Sequence, residues 1–342
     1  MLNELQKQLN DVSQDLIKDN LYPGEILALV NNYKELLFDS VSFNEGAIEA
    51  QMDISTHSGR AIAPKWAGMY INDYLRTYRF CKAIFKATKD VIEKEGKAHI
   101  LYAGTGPFAS LVLPLTYFFT NEQLKFTLLE IHEHSYSKLQ QVIKKFELEG
   151  YVEDIVCCDA AEYTIEKPNS INILLSETMM NALKDEHQVA ITYNLLNQLS
   201  EKTILIPEKI ELALLAVNED IYDANKKSLD EPQAYFDKLG SLFTLNKKTV
   251  FDNKDHFNNA FPTVTFKEVI TTVPEETNQN FNTLSIATII TIYKDIGLDI
   301  DDSALTQLQK LIDLNPMLQT VTQLKSNYKC GRKPGLQFKI TN

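Results

Sequence analysis

The chain has little that would staple it from outside its core. Four cysteines, Cys81, Cys157, Cys158 and Cys330, stand among 342 residues, and no two have Cys-x-x-Cys spacing. Adjacent cysteines rarely bridge, so the pattern argues against a disulfide framework and against a zinc site, and a reducing cytoplasm is the expected compartment. Positive charge is also scarce. Lys and Arg number 34 against 46 Asp and Glu, a formal net charge of −12. Phosphate-backbone binding needs clustered Lys and Arg, so nucleic acid is not an expected partner, whereas a cationic substrate is compatible. Long apolar runs are missing too. The longest, around Ser110–Phe119, falls short of the ~20 residues that cross a bilayer. The N-terminus, MLNELQKQLNDVSQDLIKDN, is polar and amphipathic and does not read as a signal peptide.

What is there changes texture along the chain. Residues 1–95 read as a helical region. Leu2, Leu5, Leu9 and Leu16, then Ile26, Leu27, Val30 and Leu36, recur at roughly helical spacing, with Pro23-Gly24 as a break. A long helix is expected from about Met69 to Lys94, stopping at Gly96. Across 96–207, short apolar runs alternate with helical stretches: HILYA (99–103), KFTLLEI (125–131), EDIVCC (153–158), INILLS (171–176) and KTILIP (202–207). Strand, helix, strand, helix predicts a Rossmann-like parallel α/β sheet. Across 208–342, IELALLAVNE, TVTFKEVITTV, LSIATIITIYKDIGLDI and GLQFKI are β-branched and partly alternating, which predicts antiparallel strands. The polar segment of about 221–245 reads as a helical arm.

A parallel sheet binds ligands at the carboxyl ends of its strands, beside the switch in strand order. The first run leads into Gly104-Thr105-Gly106-Pro107-Phe108-Ala109, where Gly104 and Gly106 let backbone approach a ligand and a following helix start offers amides to an anion. The second run carries Glu130, a carboxylate able to accept from vicinal ribose hydroxyls, and Asp159 and Glu162 follow the third. The glycine pattern also satisfies GxGxxA, so a nicotinamide-dependent oxidoreductase stays open at this point. The fourth run ends in SETMMNALKDE, with Glu177 over the crevice and Glu186 nine residues on. Two carboxylates facing one pocket repel unless a cation lies between them, and a planar guanidinium offers fixed N–H donors to both. Glu186 reads equally as a surface acid beside Asp185. Tyr70 can line a methyl pocket, and Met179 and Met180 can fence a sulfonium, or all three can be packing.

With these residues in view, the chain resembles the protein arginine methyltransferase family over about residues 65–342. SETMMNALKDE is similar to that family's double-glutamate loop, and Asp73-Tyr74-Leu75-Arg76-Thr77 to its Asp-x-x-Arg-Thr stretch. The resemblance implies S-adenosyl-L-methionine as cofactor, Arg76 on its carboxylate, Glu130 on its ribose and Glu162 near its adenine. It also implies a β-barrel-like domain after the methyltransferase sheet and a homodimer formed through the arm. Glu177 and Glu186 then become the catalytic pair of an N-methyltransferase acting on a guanidinium. The chain departs from the family in three places. Its glycine motif is plainer, and the barrel's Thr-His-Trp loop has no counterpart, since no His follows His256 and the one Trp is Trp66. The helical first sixty residues exceed the family's usual lead-in and are placed to fold over the mouth of the site. The missing loop and the long lead-in favour a small guanidino compound such as free arginine, in natural-product biosynthesis, over an arginine side chain of a protein. Arg60, Lys65 and Arg332 are cations available to an α-carboxylate, although each reads first as a surface residue or structural ion pair. His57, His132 and His134 read as loop or helix-start residues.

Overall fold

The architecture comes from a computed structural model, which describes residues 3–228, 231–275, 277–314 and 321–341. Its first two helices, Glu4–Leu16 and Pro23–Ser40, each bury one face, through Leu9 and Leu16 and through Ile26, Val30, Tyr33 and Leu37. Asn3 caps the first by accepting from the Gln6 amide, and Pro23 opens the second, where its missing N–H costs no helical bond. The second packs its Phe38 against Phe108, just past the glycine loop, and its Tyr33 hydroxyl donates to Ser110 O at 2.7 Å. A short hairpin, β1 (Ile54–Ser55) and β2 (Arg60–Ala61), leads into helix Pro64–Met69. Helix Tyr74–Glu95 ends at Gly96, whose φ of +79° lets its N–H return to Ile92 O.

Five parallel strands follow: β3 (Ala98–Ala103), β4 (Leu124–Glu130), β5 (Val152–Cys157), β6 (Ile173–Ser176) and β7 (Ile204–Ile206). Their order is β5-β4-β3-β6-β7. The central strands are covered on both faces, so Ile100, Leu101, Phe126, Leu128, Leu129, Leu174 and Leu175 are all buried. The order reverses between β3 and β6, so the loops after these strands part to either side and leave a crevice at their carboxyl ends.

The remaining strands are antiparallel: β8 (Lys209–Val217), β9 (Phe236–Asn246), β10 (Val269–Thr272), β11 (Thr283–Tyr293), β12 (Ile296–Leu298), β13 (Gln309–Asp313), β14 (Gln323–Lys329) and β15 (Gly335–Thr341). One sheet runs β12-β11-β8-β9 with β13 also on β11, and a second runs β10-β14-β15. Phe243, Phe266 and Tyr328 pack between them, the Phe243 and Tyr328 rings stacked at 4.3 Å, to give a barrel-like domain. The expected helical arm over 221–245 is corrected. Helix covers only Glu219–Lys227, residues 229 and 230 lie outside the described residues, residues 231–235 form no regular element, and β9 pairs along β8 from Phe236 onward. Two register shifts in that pairing break the two-residue alternation, so Leu239, Leu242 and Leu245 recur every third residue and imitate a helix.

Asp73 and Arg79, on and beside the long helix, tie the two domains together. Asp73 accepts from Ser303 Oγ at 2.6 Å and from the Ala304 amide at 3.0 Å. Arg79 donates to Gly297 O at 3.0 Å and pairs with Asp302. Among the described residues, no helix is long and apolar enough to cross a membrane.

Candidate active site

A cavity of about 890 Å³, open mouth included, lies at the carboxyl ends of β3, β4, β5 and β6. The loop after β3 forms its floor. Gly104 and Gly106 have φ of +75° and +62°, and a Cβ on Gly104 would meet Thr178 Cγ2 at 2.2 Å. Only glycine lets this loop lie against the one that follows β6. The expected helix start after the glycines is corrected. Residues 107–114 are turns, with Pro107 and a left-handed Ala109 (φ +47°), and only the four-residue helix Leu115–Phe118 follows. The Gly106 amide serves the site differently, donating to Glu130 Oε2 at 2.7 Å.

Glu130 ends β4 with both carboxylate oxygens engaged, since the His132 amide reaches Oε1 at 2.9 Å. Burial outweighs these bonds and pushes its carboxyl up to about 7. Asp159, just past β5, lines the cavity and accepts from the Ala161 amide at 2.8 Å. Glu162 does not join them. It lies one turn further on, exposed and off the cavity wall, although the resemblance implied an adenine-side role for it. The three-residue offset within the turn closed by Glu162 N–H on Asp159 O sends the two side chains to different surroundings.

The loop from Glu177 to Glu186 is held in an uncommon backbone shape. Ala182, Leu183 and Asp185 have φ of +60°, +51° and +61°, a region costly for residues with a Cβ. Contacts from both flanks over-determine it. From the barrel side, Thr288 Oγ1 accepts from the Ala182 amide at 2.9 Å, Tyr328 OH donates to Leu183 O at 2.7 Å, and Pro334 O accepts from the Asp185 amide at 3.0 Å. From the hairpin side, the Arg60 amide donates to Asp185 O at 2.8 Å. The outcome is that Glu177 and Glu186 both line the cavity.

Their environments differ. Glu177 forms a buried ion pair with Arg76, whose Nη1 also donates to Tyr70 O at 3.0 Å. Arg76 thus holds one of the two acids, and its buried Nε has no partner. Glu186 is 5% exposed, and its Oε1 is buried without a partner. Burial pushes its carboxyl up to about 8, against the pull of Arg60 and Arg76. Tyr70 and Met179 line the cavity, while Met180 stands off its wall with Sδ 3.7 Å from Arg60 Nη2.

Three further lining residues come from parts of the sequence with no motif. His187 is buried with Nδ1 at 3.2 Å from Ser58 Oγ, and His132 is buried beside Glu130. Burial holds both imidazoles below their ordinary 6.5, so they are neutral at pH 7. Arg60 arrives on β2, paired with Asp53. Adjacency to Glu130 and to Glu186 is the one sequence signal the histidines carry, and Arg60 stood out only as one of three cations available to an α-carboxylate.

No family model matches the sequence, and no curated protein matches it. Solved structures do. PRMT6 with SAH is similar at a TM-score of 0.49 and 11% identity, over 76% of this chain and 96% of that one. The Trypanosoma brucei PRMT1 enzyme–prozyme heterotetrameric complex with AdoHcy is similar at 0.46 and 12%, over 79% and 91%. Likeness at this level transfers no activity, so a function for this chain has to rest on the chemistry of its own cavity.

Proposed function

We propose that this chain is an S-adenosyl-L-methionine-dependent N-methyltransferase acting on a guanidinium nitrogen, with free L-arginine or a small guanidino compound of natural-product biosynthesis as substrate. One observation supports it above the others: a buried carboxyl, Glu186, without a partner for Oε1, in the same cavity as the buried Glu177. A buried acid with no partner is costly, and a planar cation with several N–H donors satisfies it.

The charge count agrees. Four carboxyls, Glu130, Asp159, Glu177 and Glu186, line the cavity against two guanidinium groups, Arg60 and Arg76. With Glu130 and Glu186 raised to about 7 and about 8 by burial, a sulfonium and a guanidinium would favour the ionised form of these acids. Glu130 would take ribose hydroxyls, Asp159 the base edge, the glycine loop the close approach, and Arg76 Nε a carboxylate. The cofactor, when bound, supplies a methyl group activated on sulfur. Glu177 and Glu186 hold the guanidinium so that one nitrogen faces that methyl, and Tyr70 and Met179 wall the space. Orientation of this kind contributes roughly 7–11 kcal/mol in favourable cases. Glu186, with its raised pKa, is the group suited to take the proton that the methylated nitrogen sheds. A nicotinamide dinucleotide is less well supported, since no helix starts directly after Gly104-Thr105-Gly106, where its pyrophosphate would lie.

Labelled methyl transfer to free arginine and to an Arg-Gly-rich peptide tests the proposal. Label is expected in free arginine. Glu186→Gln is expected to lower turnover about 100-fold while S-adenosylhomocysteine still binds. Label in the peptide alone would assign a protein substrate, and label in neither would end the proposal.

A further inference from the structure

Arg60 is a guanidinium with one side occupied and the other spare. Its Nη1 pairs with Asp53 Oδ2 at 3.0 Å, and Asp53 is itself fixed by the Ala63 amide at 2.7 Å. Its Nη2 has only the thioether sulfur of Met180, at 3.7 Å. Its Nε is buried and has no partner. Nε and Nη2 are the two nitrogens whose N–H bonds point the same way, the fork that receives a carboxylate side-on with two parallel hydrogen bonds. Asp53 lies on the opposite nitrogen and leaves that fork open.

The position of this fork is set by backbone. The Arg60 amide donates to Asp185 O at 2.8 Å, so Arg60 springs from the wall beside Glu186, and both side chains line the one cavity. Gly59 makes the approach possible, because a Cβ there would lie 3.0 Å from Asp185 O and 3.1 Å from the Glu186 carbonyl carbon. A cavity with an open acid next to an open guanidinium fork has the polarity of an amino acid whose side chain ends in a cation.

We propose that Arg60 binds the α-carboxylate of the guanidino substrate, so that the site selects free arginine over arginine within a peptide, whose main-chain carbonyl is neutral. This rests on the function proposed above. The cofactor's own carboxylate is the other source of the same chemistry, and the test separates the two.

Binding of arginine, of its decarboxylated analogue agmatine, and of S-adenosylhomocysteine is measured by calorimetry on the native chain and on Arg60→Gln. The native chain is expected to favour arginine over agmatine by about 30-fold, the factor that corresponds to charge-assisted hydrogen bonds. Arg60→Gln is expected to bring that ratio close to one while S-adenosylhomocysteine binds as before. Arg60→Lys, which keeps the charge and loses the fork, is expected to retain only part of the preference. Equal binding of arginine and agmatine by the native chain would overturn the assignment, whether or not any variant folds. Loss of S-adenosylhomocysteine affinity in Arg60→Gln, with the arginine preference kept, would give the carboxylate to the cofactor and also overturn it. Binding of S-adenosylhomocysteine with neither guanidino compound would instead remove the function on which this inference stands.

Discussion

A single carboxyl shows how far residue identity leads. Glu186 was legible as a candidate from its distance to Glu177, but spacing cannot tell a buried acid from a solvated neighbour of Asp185. Burial decides, and it has a measurable consequence. The Glu186 carboxyl stands at about 8 in the folded protein against an ordinary 4.5. Between those values the native state holds a proton that the unfolded chain has released. Stability from this group is therefore present below about pH 4.5 and is lost as pH rises through about 8, the reverse of a salt-bridged acid. Glu130, raised to about 7 by burial, acts in the same direction. Urea midpoints of the ligand-free protein are expected to show this decline between about pH 5 and 8, and Glu186→Gln should flatten it. An unchanged slope in that variant would place the group in solvent. The other residue-scale lesson is Glu162. Its match was one of spacing, whereas Asp159, three residues earlier, is the one of the two that lines the cavity.

Elements were legible where burial is two-sided. The runs HILYA and KFTLLEI correspond to β3 and β4 within a residue or two, because a strand covered on both faces must be apolar throughout. β9 was not legible. It ends its sheet, it bulges twice, and its apolar period drifts to three. The glycine loop was legible as a loop but not as a string of turns, although Pro114, which breaks a helix from inside, was a signal against one there. Its contact with the next loop gives a sharp expectation. Gly104→Ala places a methyl on Thr178 Cγ2 and also costs about 1–2 kcal/mol in a left-handed backbone. Thr178 cannot yield freely, because its amide and hydroxyl both donate to Gln188 Oε1, at 2.8 Å and 3.0 Å. Nucleoside affinity is expected to drop at least about tenfold, the equivalent of 1.4 kcal/mol. Adding Thr178→Ser removes the clashing methyl and should recover part of the loss. A double variant as weak as the sum of the two singles would show that the loops do not press on each other.

At the scale of the molecule, the double-glutamate loop belongs to neither domain alone. It leaves the parallel sheet at β6, and its strained residues are held from the barrel by Thr288, Tyr328 and Pro334. The Asp-x-x-Arg-Thr stretch divides its work along the same boundary. Asp73 grips the barrel at Ser303, Arg76 holds Glu177, and Thr77 Oγ1 closes on Ile71 O at 3.0 Å. That division was invisible in the sequence, because Ser303 and Glu177, the partners of Asp73 and Arg76, lie in distant segments. It makes the barrel a splint for the site rather than only a neighbour. Tyr328→Phe tests the splint with one atom. The hydroxyl is buried and donates to Leu183 O, so its loss leaves a carbonyl unpaired at a cost of about 1–3 kcal/mol. The ring stays, and with it the stack on Phe243. A splint shifts catalysis apart from nucleoside binding, because Leu183 lies between the two glutamates while Glu130 and the glycine loop belong to the other domain. Turnover is therefore expected to fall about tenfold or more, with the dissociation constant for S-adenosylhomocysteine nearly unchanged. A loss of stability with no change in turnover would make the barrel a packing partner whose contacts do not set the geometry of Glu177 and Glu186.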